Sequence, residues 1–205
     1  MDVWQRAFAP TLLALFLAGL WFVPATTHAA AIGAVPPTEG LRFGGLLAMS
    51  RADVDDPDGA TETKSYSRLA VIGTRPAAKG RRWLGEVFYH RFDTKPGTDS
   101  IGMDVTRIGA ALSYQARFAQ SSGAPWFGAG LAVSRDRFDE RLTVDAFGFV
   151  DRRFPSRSDT AVGLVLNTTK VWKWTRTFDV GVHAQYEQPL TGDIKALSLG
   201  VLLMF

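Results

Sequence analysis

The chain has 205 residues, 46% of them hydrophobic and 21% charged, a balance that excludes a disordered tail and a bundle of membrane helices. It has no cysteine, which excludes disulfides, thiolate-bound zinc, iron–sulfur clusters and thiol catalysis. The formal net charge of +3 comes from scattered basic residues, too small an excess to point to nucleic acid.

The N-terminus reads as a targeting segment. Arg6 precedes an uncharged apolar run from Thr11 to Val23, shorter than the roughly 20 residues a membrane helix needs. Pro24 ends the run, and small residues follow; Thr27-His28-Ala29 and Ala29-Ala30-Ala31 both fit a small-x-small cleavage pattern. Residues 1–29 are therefore expected to be a secretory signal peptide, cut within 29–31, with an uncleaved anchor as the alternative. Residues 30–205 are expected to form one domain. No later apolar run reaches helix length, so entry into a membrane would have to use strands.

Alternation with a period of two then dominates. In Gly40 to Ser50, Leu41, Phe43, Leu47 and Met49 oppose Arg42, Gly44, Ala48 and Ser50. The next segment carries Asp53, Asp55, Asp56 and Asp58; such a cluster can hold Ca²⁺ or Mg²⁺, but Pro57 breaks the EF-hand spacing, and a solvated acidic loop is the expectation. Ser65 to Thr74 is apolar at its centre and ambiguous in register. Trp83 to Phe92 sets Trp83, Val87 and Tyr89 against Glu86 and His90, with Leu84 and Phe88 on the charged face.

Thr106 to Phe118 alternates Ile108, Ala110, Leu112, Tyr114 and Phe118 with Arg107, Gly109, Ala111, Ser113, Gln115 and Arg117. Phe127 to Arg135 repeats the pattern. A long connection from Asp136 to Asp159 follows, carrying Arg137, Arg141, Arg152, Arg153, Arg157 and the apolar stretch Ala146 to Val150. Thr160 to Thr168 sets Val162, Leu164 and Leu166 against Gly163 and Asn167. Thr177 to Gln188 puts Phe178, Val180, Val182, Ala184 and Tyr186 on one face and Asp179, His183 and Glu187 on the other. The last strand, Lys195 to Phe205, sets Leu197, Leu199, Val201, Leu203 and Phe205 against Ala196, Ser198, Gly200, Leu202 and Met204.

These eight segments are joined by connections that tend to alternate long and short, the pattern of an up-and-down antiparallel barrel that crosses a membrane. A soluble barrel would alternate as well, with its apolar face inward. Here the less apolar face is rich in Gly, Ala and Ser, where a solvated exterior would carry more Lys and Glu. Such small residues suit a narrow lumen. Tyr114, Phe118, Phe127, Trp172, Trp174, Phe178 and Phe205 gather towards one end and Tyr89 and Tyr186 towards the other, as two interfacial girdles would.

The chain ends Ser198-Leu199-Gly200-Val201-Leu202-Leu203-Met204-Phe205. This resembles the assembly signal of bacterial outer-membrane barrels, in which a polar residue, Gly, a hydrophobic residue and a terminal aromatic fall where Ser198, Gly200, Leu203 and Phe205 stand. In architecture the exported chain is similar to the small eight-stranded outer-membrane proteins of the OmpX, OmpA and OmpW type. The resemblance implies an outer-membrane location, insertion by the barrel-assembly machinery, contact with lipopolysaccharide, a monomer, and no cofactor, metal or nucleic acid.

Candidate chemistry is sparse. Arg42, Glu86, His90, Arg107, Arg117, Asp179, His183 and Glu187 fall on the polar face, where buried charges must pair, so a luminal packing network is expected. Small barrels that modify acyl chains of lipid A set the enzymatic alternative, but His183-Ala184-Gln185 and His90-Arg91-Phe92 lack the deacylase serine, and Asp99-Ser100 is a weak acyltransferase motif. Arg135, Arg137, Arg152 and Arg153 are candidates for gripping lipopolysaccharide phosphates. The expected role is structural or surface-interacting, with a lumen filled by side chains; a narrow pore and a lipid A enzyme are the alternatives.

Overall fold

Alternation at this period produces strands that bury every second side chain, and the computed structural model shows what they bury it against. It describes residues 40–55, 61–94, 100–101, 103–117 and 124–205. The expected signal segment 1–29 and its cleavage region lie outside them, as do Asp56, Asp58, Asp99 and Phe118.

The strands are β1 (Arg42–Asp55), β2 (Thr61–Ala78), β3 (Arg81–Thr94), β4 (Ser100–Ile101), β5 (Met103–Ala116) and β6 (Trp126–Phe138). They continue as β7 (Arg141–Val144), β8 (Val150–Phe154), β9 (Arg157–Lys173), β10 (Asp179–Pro189) and β11 (Ile194–Met204). Eight close into a barrel in the order β1-β11-β10-β9-β6-β5-β3-β2, every pair antiparallel. The first and last strands pair, with Gly44 opposite Met204 and Val54 opposite Ile194, so the ring has no free edge. The remaining three form a small sheet, β4-β7-β8, built from the connections that leave β3 and β6.

The strands are staggered as well as closed. The row through Leu47 runs one way through Leu69, Tyr89, Ile108 and Arg135 to Thr160 of β9. The other way it runs through Val201 and Val182 to Lys170 of the same strand. A closed sheet must carry this offset, because its strands tilt against the barrel axis.

The two ends differ. At one end lie the start of β1, the end of β11 and a two-residue turn at Lys79-Gly80, where Gly80 takes the left-handed conformation at φ 68°. At the other end stand the longest connection, between Phe138 and Arg157, and the β4-β7-β8 sheet. Short turns face the periplasm and long loops the outside in barrels of this kind, so the loop end is the outer one.

The barrel is inside out relative to a soluble protein. Leu47, Leu69, Val87, Leu112, Leu131, Leu164, Val182 and Val201, one from each barrel strand, are 42–60% exposed on the outer face. Arg68, Glu86, Arg107, Gln115, His183 and Glu187 are no more than 2% exposed, inside. Water would not tolerate the first set outside, and nothing would drive the second set in; hydrocarbon around the barrel accounts for both. The ring aromatics mark the edges of this belt, with Trp83, Tyr114, Trp172 and Phe205 exposed at the terminal end and Tyr89 towards the loops.

One expectation is corrected and one open register is settled. The connection between residues 136 and 159 is not one loop: β6 continues to Phe138, β9 begins at Arg157, and β7 and β8 form a hairpin between them. Beyond the membrane the outward face is polar, so these strands lack the apolar alternation that marks the rest. The ambiguous segment 65–74 also resolves, with Arg68, Ala70 and Ile72 inside and Leu69 and Val71 outside.

Leu131→Arg, at the middle of the belt, is expected to lower folding free energy in bilayers by about 2–4 kcal/mol. Denaturant titration in lipid vesicles measures it, with Thr160→Arg at the loop-end rim expected to cost ~1 kcal/mol or less.

Candidate functional site

The interior divides into tiers, each built by the inward positions of several strands. At the terminal end, Arg42 of β1 pairs with Asp179 of β10 at 2.8 Å. Beside them, Arg82 and Arg117 lie over the ring of Trp126, at 4.3 and 4.7 Å from its centroid. Arg82 Nε also donates to Gln115 Oε1 at 2.7 Å, tying this plug to the next tier.

That next tier is uncharged. Gln115 Nε2 donates to Asn167 Oδ1 at 2.8 Å and to Thr169 Oγ1 at 3.1 Å. Asn167 Nδ2 donates to Ser113 Oγ at 2.8 Å. Thr169 Oγ1 lies 2.9 Å from His183 Nδ1, and His183 Nε2 lies 3.3 Å from Gln185 Oε1. Both nitrogens of this imidazole are held by neutral groups.

The middle tier holds the fully buried ion pairs. Arg68 of β2 reaches Glu86 of β3 at 2.8 Å and donates to Ser198 Oγ at 3.2 Å, and Ser198 in turn bonds Ser50 at 2.7 Å. Arg107 of β5 spans the lumen: it pairs with Asp136 of β6 at 3.0 Å, with Glu187 of β10, and donates to Ser134 Oγ. The ring of Phe88 lies under both guanidiniums, 4.2 Å from Arg68 and 5.8 Å from Arg107. Each buried charge thus faces an opposite charge, which an isolated ion in such a site would require.

Above the charges, rings stack in a column. His90 lies 4.5 Å from Tyr66 and 5.9 Å from both Phe88 and Phe92. A cluster of Ala52, Val54, Tyr66, Phe92, Met103, Val105, Phe138, Ile194 and Ala196 then closes the lumen below the loop end. Neither ring nitrogen of His90 has a hydrogen-bond partner among the described residues. It packs as an aromatic ring in this column.

The eight polar-face residues named from the sequence are therefore all inward or at the mouth, but they do not form one network. Arg42 with Asp179, and Arg107 with Glu187, are separate pairs; Glu86 takes Arg68; Arg117 and the two histidines meet no carboxylate in these contacts. Sequence reasoning missed Arg68 and Asp136. Both were within reach of the period of two, counting back from Ile72 through Ala70 and forward from Ala132 through Ser134.

The four arginines named for lipid phosphates also separate. Arg135 and Arg137 stand on the outward face of β6, the first bonded to Ser158 at 3.0 Å and the second 3.5 Å from Asp139. Arg152 and Arg153 belong to β8, beyond the barrel, near Asp151 at 3.8 Å and Glu140 at 3.0 Å. Of the acidic segment, Asp53 accepts from Thr63 and Asp55 from Thr61, at 2.6 and 2.7 Å. At the C-terminus, Ser198 points into the lumen, Leu203 and Phe205 face outward, and Phe205 N donates to Phe43 O at 2.8 Å. Gly200 is small because it must be: a Cβ there would lie 2.4 Å from Leu47 O and 2.6 Å from Ala48 Cβ.

No protein-family model matches the chain, and no curated protein does. Solved structures are similar to it. Neisserial surface protein A (NspA) matches with a TM-score of 0.52 at 17% identity, over 82% of this chain and 97% of that one. The outer-membrane protein OprG from Pseudomonas aeruginosa matches with a TM-score of 0.50 at 13% identity, over 80% of this chain and 95% of that one. At such identities the likeness shows the fold, that of the small eight-stranded outer-membrane barrels. With its apolar belt, the chain is an outer-membrane β-barrel protein.

Glu86→Ala leaves Arg68 buried without its carboxylate and is expected to cost about 3–5 kcal/mol in a denaturant titration of the refolded barrel. Arg68→Met combined with Glu86→Leu is expected to recover most of that loss, since it removes both charges together.

Proposed function

We propose that the chain is a non-enzymatic barrel whose lumen is filled by side chains and which works through its outer surface. The observation that carries this reading is Arg107, which ties β5 to β6 and β10 across the interior while Phe88 and Arg68 occupy the space beside it. With the Trp126 plug at one end and the apolar cluster at the other, little of a narrow eight-stranded interior is left for solute.

The surface reading draws on the β7–β8 hairpin. Asp145 Oδ1 accepts from Phe147 N and Phe149 N, each at 2.9 Å, and Gly148 takes φ 84°. This fixes a tip on which Phe147 and Phe149 stand 86% and 73% exposed. Aromatic rings held out by an ordered turn on the outer side suit contact with a partner. In this account the chain is a monomer, inserted by the barrel-assembly machinery through Ser198, Gly200, Leu203 and Phe205, with lipopolysaccharide around its rim.

Single-channel recording in planar bilayers tests the filled lumen. The purified barrel is expected to give no discrete conductance steps, and steps in the wild type would turn the reading to a narrow pore. Mass spectra of lipid A from cells with and without the protein are expected to show equal acyl-chain numbers; a gained or lost chain would turn it to an enzyme.

A further inference from the structure

Where the apolar belt ends on the outer side, the face of β5, β6 and β9 changes character within one step. On β6 the outward residues run Leu131, Val133, Arg135, Arg137. Val133 is half exposed in the belt, and Arg137 lies well clear of the lumen. Adjacent strands set Thr106 and Ile108 of β5 on one side, opposite Arg137 and Arg135, and Ser158 and Thr160 of β9 on the other. Between them runs a groove of about 420 Å³ lined by Thr106, Ile108, Arg135, Arg137, Arg157 and Ser158.

The charges in this groove are unequally committed. Arg157 is taken by Asp193 at 2.6 Å and Asp159 at 3.6 Å. Arg137 meets Asp139 at 3.5 Å through Nε. Arg135 gives its Nε to Ser158 Oγ and pairs with no carboxylate among the described residues. The acid on the neighbouring strand, Asp104, is engaged by Arg91. The groove therefore offers guanidinium nitrogens and hydroxyls to an anion, in the fork geometry that suits phosphate oxygens.

We propose that this groove binds a phosphate of outer-leaflet lipopolysaccharide, gripped by Arg135 and Arg137 with the hydroxyls of Thr106 and Ser158. The acyl chains of the same molecule lie down Ile108, Val133 and Leu131. A free phosphate would need no apolar wall and no fixed height. A lipid phosphate must sit where hydrocarbon ends, and on β6 that boundary falls between Val133 and Arg135. This deepens the surface reading above and rests on its outward orientation, but not on the filled lumen. It also divides the four arginines named from the sequence, assigning the rim pair to lipid and leaving Arg152 and Arg153 out.

The test is native mass spectrometry of the full barrel in detergent, titrated with lipopolysaccharide, with its dephosphorylated form, and with inorganic phosphate. Arg135→Gln combined with Arg137→Gln is expected to weaken lipopolysaccharide binding by about tenfold or more, because two charge-assisted contacts are lost. Dephosphorylating the lipid is expected to cost the wild type as much. Arg152→Gln with Arg153→Gln is expected to bind as the wild type does. Arg135→Gln alone, expected to give a several-fold loss, serves if the double variant fails to show the heat-dependent gel shift of a folded barrel. Undiminished binding by the rim variants would overturn the proposal. So would an equal loss in the hairpin variant, or displacement of the lipid by millimolar inorganic phosphate. None of these outcomes would bear on the conductance or acyl-count experiments, so the two readings fail separately.

Discussion

Backbone amides and carbonyls in hydrocarbon have no water to bond, so a membrane strand must be paired along both edges. Everything else in this molecule follows from meeting that demand with eight strands. The ring closes through β1 and β11, and the last pairing runs from Val54–Ile194 to Gly44–Met204. Close approach at that seam leaves no room for a side chain on Gly200. The same strand carries the outward Leu203 and Phe205. The C-terminal pattern therefore serves the closed state by geometry as well as offering lipid an aromatic edge.

Closure at this size also dictates the interior. A narrow lumen lined by alternate residues must be packed, and the chain packs it with charges as well as apolar groups. Arg68 and Arg107 carry the central tier, each with acids from other strands and with Phe88 between them. Such pairs are a weak source of stability compared with apolar packing, because both ions are taken out of water. They do fix register: sliding β5 by one residue against β6 would turn Arg107 into lipid and strand Asp136 and Glu187. The charges make alternative registers costly, which suits a sheet whose outer face is uniformly apolar and would accept several.

Much of this was legible in the sequence, and the exceptions have physical reasons. The strand Asp179–Pro189 reads clearly because its outward face is apolar from Val180 to Ala184 and its inward Asp179, His183 and Glu187 are polar and buried. Leu84 and Phe88 looked misplaced on a charged face; they are inside because the lumen is packed as a mixed core. The β7–β8 hairpin was invisible to an apolar-alternation reading because it stands outside hydrocarbon, where nothing enforces that pattern. For the site, polar-face membership could be read from spacing, but partners could not. Arg107 and Glu187 are far apart in the chain and meet only because closure brings β5 and β10 across one narrow lumen.

On the proposed reading function lies at the outer surface, at the rim and at the ordered aromatic tip carrying Phe147 and Phe149. All of it depends on the apolar face lying in lipid, and the cysteine-free chain makes this directly measurable. Nitroxide labels placed singly at Leu112, Leu131, Leu164 and Thr160 in vesicles would be challenged with oxygen and with a water-soluble nickel chelate. Collision with oxygen and not nickel is expected at the three leucine positions, reversing at Thr160. Nickel access at all four positions would contradict it, because the outer face would then be in water.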